Sequence, residues 1–173
     1  MPYTDLLRLS VFLTAGEATV LGAITALSAG RNESPSMILI VAAAWWLVAL
    51  VVGLYLGRPA RAADGVRNAL ARARTATSLP QESGTQVALR RLWPIGAIGL
   101  VAGVLGIFFI GVATIGAGYA LLVALALRSH EAAVLGVEHR DGTKFYVVPN
   151  SALQPVELVR APGLRSDRLS VPS

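Results

Sequence analysis

Glu17 is a carboxyl inside a long apolar run, Leu9 to Ser28, and no other charge interrupts that run. An ionisable group at that depth of a membrane-crossing helix is costly and turns toward the bundle interior or a polar cavity. At 100° per residue, Ser10, Thr14, Glu17, Leu21 and Ser28 share one face, with Thr25 just outside it. Two chemistries fit that line. One is an intramembrane polar or proton site. The other is an interhelical hydrogen bond that fixes packing. Burial penalises a charged carboxylate, so Glu17 is expected to carry its proton.

Trp45 and Trp46 lie near the middle of the next apolar run, although tryptophan favours the membrane interface. Counted from the ends of their runs, the pair and Glu17 share a depth. An indole N–H is therefore expected to donate to the Glu17 carboxyl.

The remaining chemical candidates are weaker. His130-Glu131 has no second histidine at the spacing of HExxH. His139, Arg140 and Asp141 form a charged cluster, expected at a hairpin tip as an interaction site. Ser129 and Ser151 lack a G-x-S-x-G setting. There is no cysteine and no Gly-rich phosphate loop, so neither a metal site nor a cofactor is expected.

Small residues form a different pattern. Ala15, Ala18, Gly22 and Ala26 make a face of the first apolar run narrow enough for close helix approach. Leu9, Leu13, Val20, Ile24 and Leu27 lie opposite, suited to lipid. Gly99 and Gly103 form a GxxxG, flanked by Gly96 and Gly106. Packing within the chain and a homo-oligomer seam both fit.

The elements that must position these groups follow from composition. Hydrophobic residues make up 54% of the 173 residues and charged residues 14%. A soluble domain carries about 25% charged residues, so most of the chain is expected in lipid. About 20 apolar residues cross a bilayer. Two spans are read at about 9–28 and 37–56, with Pro35 suited to the start of the second. Ile95 to Leu127 is uncharged and too long for one crossing, so it is read as two spans, about 93–110 and 113–128. Their turn is expected near Gly111 or within Thr114 to Gly118, where glycine gives backbone freedom.

Between these pairs lies a basic stretch, 57–92, in which Asp64 to Ala76 reads as a helix resting on the membrane or as a solvated linker. Beyond Arg128, Val134 to His139 and Lys144 to Val148 read as a β-hairpin around an Asp-Gly turn, with Val137 opposite Tyr146 and Leu135 opposite Val148. Val156 to Arg160 is a third strand, and the last ten residues are expected to be disordered.

The expected fold is thus an all-α integral membrane four-helix bundle of two helical hairpins over 1–133. A small β-hairpin or three-stranded cytoplasmic tail follows over 134–173. Four spans put 14 of the 15 Lys and Arg residues on one side, with Arg31 alone opposite. By the positive-inside rule both ends are then cytoplasmic. Arginine outnumbers lysine fourteen to one, which suggests a GC-rich bacterial genome and a plasma membrane. Asp5, Arg8 and Glu17 argue against a cleaved signal peptide.

The net charge of +5 fits anionic headgroups better than nucleic acid, because no basic stripe with interleaved aromatics is present. The expected partners are the lipid bilayer and a membrane protein or a second copy. The expected function is a non-enzymatic accessory, assembly or regulatory subunit. The alternatives are a small oligomeric transporter or channel that uses Glu17, and a membrane enzyme that uses His130, Glu131, His139 and Asp141.

Overall fold

The computed structural model describes residues 1–58, 74–75, 83–148, 154 and 156–162. The chain is mostly helical. Helix α1 spans Tyr3–Ala29, α2 Pro35–Leu56, α3 Gly84–Phe108 and α4 Ile110–Asp141. Among the described residues, these four are long and apolar enough to cross a membrane. Strands β1 (Arg74–Thr75), β2 (Thr143–Val147) and β3 (Leu158–Pro162) form a small sheet in the order β1-β3-β2.

Local chemistry sets several boundaries. Pro35 opens α2, where its missing N–H has no intrahelical partner to lose. The break between α3 and α4 is a single residue, Phe109, at φ −124° and ψ 92°. That is extended backbone open to any side chain, so the turn needs no glycine. It falls two residues before Gly111, near the first of the two expected places, and not within Thr114 to Gly118, which lies inside α4.

The contacts between helices give their directions. Going up α1, Glu17 lies at Gly99 and Ile24 at Gly103, so α1 and α3 run parallel. Thr25 meets Thr114 while Leu7 packs with Val134, so α4 runs against α1. Trp46 bonds to Thr114 and Gly53 lies at Leu122, so α2 runs with α4. The result is up-down-up-down. The pairing is not that of two independent hairpins, however. Helix α4 packs on α1, α2 and α3, whereas α1 and α2 touch little.

The expected hairpin of Val134–His139 with Lys144–Val148 is not formed. Helix α4 continues through 134–139 to Asp141 and stops at Gly142, whose φ of 60° makes it a left-handed cap. Asp-Gly here ends a helix instead of turning a hairpin. Val134 is fully buried against Leu7, and that contact favours the helical path. Strand β2 pairs antiparallel with β3 instead, with Tyr146 opposite Val159 and Val147 opposite Leu158.

The expected third strand is thus present, shifted to 158–162. Arg74 and Thr75, expected as the end of a helix, pair parallel with Val159 and Arg160 on the open edge of β3. The rest of the expected 64–76 helix and the tail beyond Pro162 lie outside the described residues.

The sheet is joined to one end of the helices. Leu6, Val87, Val147 and Leu158 form a buried cluster there with Met1, Tyr3 and Leu92 against it. The Val147 N–H donates to the Met1 carbonyl at 3.0 Å, and Pro2 bridges to Tyr146. Deeper in the bundle, Leu21, Ala113 and Ala117 form a second cluster with Trp46 and Ile24. Outside these clusters much of the helical surface is apolar and bare, as at Ile40 (65% exposed), Leu100 (70%) and Phe108 (75%).

Candidate functional site

Glu17 points from α1 toward α3 and lies over the backbone of Gly99. A Cβ at Gly99 would come within 2.5 Å of Glu17 Cδ and 2.8 Å of its Cγ. Glycine is therefore what allows the carboxyl to lie in this seam. The Glu17 Oε1 atom is buried and has no hydrogen-bond partner among the described residues.

Neither tryptophan reaches Glu17. Trp46 Nε1 donates to the Thr114 carbonyl at 3.0 Å, and Trp45 Nε1 donates to the Ile115 carbonyl at 3.4 Å. The expected indole–carboxyl bond is thus replaced by two bonds from α2 to the backbone of α4. Equal depth on two helices does not set which neighbour an indole faces, and α2 turns this face to α4. Gly118 makes the approach possible, since a Cβ there would meet Trp45 Cδ1 at 2.8 Å. Trp45 also stacks edge-on with Tyr119, with ring centroids 5.7 Å apart. Trp46 lies over Gly22, 3.7 Å from where a Cβ would stand.

The hydroxyl line of α1 is buried, but its hydrogens are engaged within the helix. Ser10 donates to the Leu6 carbonyl at 2.8 Å, Thr14 to Ser10 at 2.8 Å and Thr25 to Leu21 at 2.9 Å. Ser28 is buried beside them, and its carbonyl accepts from Asn32 at 2.8 Å. Thr25, placed off this line from the sequence, is fully buried and stands 3.4 Å from Thr114 across the α1–α4 seam. The line faces α4 as a packed surface. Glu17 lies at its edge, toward α3.

The small residues divide differently from their pattern in the sequence. Ala15 and Ala26 are exposed, while Ala18 and Gly22 are half-buried. Gly99 and Gly103 face α1 within the chain, receiving Glu17 and Ile24. Another close seam, between α2 and α4, was not singled out from the sequence. Gly53 and Gly57 of α2 meet Leu125 and Ser129 of α4, with Leu125 Cδ1 3.0 Å from a Cβ placed at Gly53. The signal was present, because Gly53-Leu-Tyr-Leu-Gly57 is itself a GxxxG.

The tail candidates do not converge. His130 Nδ1 donates to the Ala126 carbonyl of its own helix at 2.8 Å. His139 and Arg140 lie in the last turn of α4, not at a hairpin tip. Arg140 Nε bonds to Asp141 Oδ1 at 2.9 Å in an exposed pair, and this bond holds Asp141 below the usual carboxylate range. His130 and His139 are nine residues apart on one helix, roughly 13 Å along its axis. Among the described residues, no group of three His, Cys, Asp or Glu could hold a metal ion.

One concave feature borders this region. An open groove of about 1110 Å³ runs between the first halves of α1 and α3. Its walls include Phe12, Leu13, Leu92 and Gly96, with Asp5 and Arg8 on the side toward Met1. Leu13 and Gly96 lie about one turn from Glu17 and Gly99. The groove therefore ends near the carboxyl.

No protein-family model, curated protein or solved structure matches the chain.

Proposed function

We propose that the chain is a four-span integral protein of a bacterial plasma membrane with both termini in the cytoplasm, acting without catalysis as an accessory, assembly or regulatory subunit. The threading is supported by four apolar helices running alternately up and down, with Arg31 the single Lys or Arg at the far end of that path. Helix α4 is 32 residues, about 48 Å at 1.5 Å per residue, against a hydrocarbon core of about 30 Å. Its portion beyond about residue 128 therefore projects into the cytoplasm and carries the sheet.

The observation that carries the functional reading is the buried, unpartnered Oε1 of Glu17. A transport site gathers several polar groups at mid-depth. Here the neighbouring hydroxyls bond within α1, the indoles bond to α4, and the groove beside the carboxyl is walled mainly by apolar side chains. A donor from another membrane chain, reaching Glu17 beyond the inner end of that groove, would complete the carboxyl's bonding where an unmet polar group is costly.

The test is purification in mild detergent with the stoichiometry of any co-purifying chain. The expected result is one discrete membrane partner, lost in Glu17→Ala and kept in Glu17→Gln. A homo-oligomer that conducts protons in liposomes, with conduction abolished by Glu17→Gln, would replace this reading with the channel one.

A further inference from the structure

We infer that the groove between α1 and α3 is a binding site for a single cytoplasmic-leaflet phospholipid with a phosphoethanolamine headgroup. This rests on the membrane threading proposed above.

The first argument is dimension. The lining runs from Met1 to Leu13 on α1 and from Gly84 to Gly96 on α3. Each side spans twelve residue steps, about 18 Å along the helix axis. One leaflet of hydrocarbon is about 15 Å, half the core thickness. With Arg8 at the hydrocarbon edge, the five steps from Arg8 to Leu13 reach about 7.5 Å below it. The groove thus takes the headgroup and the upper half of one leaflet, and stops one turn short of Glu17 over Gly99. A transmembrane helix of a partner would continue across both leaflets.

The second argument is the order of charges. Arg8 stands at the edge of the apolar span, and Asp5 lies three residues further toward the cytoplasm, about 4.5 Å along the axis. Both are exposed, both line the groove, and neither forms a salt bridge among the described residues, while the Arg8 guanidinium lies 6.0 Å from the Phe12 ring centroid. In a phosphoethanolamine headgroup the phosphate lies at the hydrocarbon edge. The ammonium lies beyond it by two carbons and an ester oxygen. Arg8 therefore meets the phosphate, and Asp5 meets the ammonium. An anionic glycerol headgroup would pair with Arg8 but face the Asp5 carboxylate.

The third argument is the wall. Below the charges it consists of Leu9, Phe12, Leu13, Leu89, Leu92 and Gly96, with the Trp93 ring at the rim. At Gly96 a Cβ would meet nothing within 4 Å, so space for a chain is open there.

The experiment titrates the delipidated full-length protein in detergent with phosphatidylethanolamine, phosphatidylcholine or phosphatidylglycerol of matched chains, reading bound lipid by native mass spectrometry. Phosphatidylethanolamine is expected to bind preferentially. Arg8→Gln should weaken it about tenfold, as expected for one lost charge-assisted contact. Asp5→Asn should abolish the preference over phosphatidylglycerol. Gly96→Phe, whose side chain enters open space, should exclude all three lipids while leaving the melting temperature unchanged.

Equal binding of the three lipids, a preference for phosphatidylglycerol, retention of lipid by Gly96→Phe, or a dimer that forms through this face and excludes lipid would each overturn the inference. A folded, monodisperse protein without detergent would instead refute the membrane threading itself.

Discussion

The Glu17 carboxyl and the Gly99 backbone face each other across parallel helices so closely that a methyl group at Gly99 has no room. Gly99→Ala must therefore push Glu17 out of the α1–α3 seam. The side chain is flexible, so the expected loss is at the low end for overpacking, about 1 kcal/mol. The double variant Glu17→Ala/Gly99→Ala should recover most of that loss. A thermal double-mutant cycle in detergent measures it, and additive losses would show that the two residues do not share this contact.

The two indoles make unequal bonds. Trp46→Phe removes a 3.0 Å hydrogen bond to Thr114 and is expected to destabilise by about 0.5–1.5 kcal/mol. Trp45→Phe removes a longer bond of 3.4 Å and should cost less. Chemical denaturation of the two variants side by side gives the ranking. A larger loss at Trp45 would reverse the assignment of which indole anchors α2.

Helices α1 and α2 were legible because long apolar runs, interrupted only by Glu17, admit few other readings. Partners across helices were not. The depth of Trp45 and Trp46 could be counted, but the rotation of α2 that aims them at α4 depends on Gly53, Gly57 and Gly118 meeting larger neighbours. The stretch 134–141 failed for a different reason. Val134, Leu135 and Val137 suit a strand or a helix equally, and Asp-Gly closes a hairpin or caps a helix with the same glycine conformation. The contact that decides between them, Val134 on Leu7, lies 127 positions apart in sequence.

Gly142 tests the helical ending of α4 directly. With φ at 60°, any residue with a Cβ is strained there. Gly142→Ala should destabilise the α4–β2 joint by about 1–2 kcal/mol, and Gly142→Asn by less, since asparagine tolerates the left-handed region. Hydrogen exchange of the Phe145 and Val147 amides reports the joint. Unchanged protection in Gly142→Ala would count against the helix cap.

Glu138 sets a pH dependence at the same joint. Its carboxylate accepts the Phe145 N–H at 3.1 Å. Burial nevertheless pushes its pKa above the ordinary carboxylate value; the Phe145 bond and Lys144 act against this shift, and Asp5 acts with it. With the folded value raised, the stabilising contribution is complete below the unfolded-chain value and is lost as pH rises through the folded one. The joint should therefore weaken as pH climbs out of the ordinary carboxylate range. Glu138→Gln should flatten that slope in amide exchange measured across pH. An unaltered slope would assign the dependence to another group.

Helix α4 touches every other helix, whereas α1 and α2 hardly touch each other. Ribosomal synthesis delivers α4 last among the four. Until it emerges, Trp45 and Trp46 lack their acceptors, Gly53 lacks Leu125, and the hydroxyl face of α1 lacks a cover. The nascent protein must therefore wait with α2 unanchored and with α1 and α3 joined only along their own seam, and any factor that shelters membrane intermediates would have its longest opportunity here.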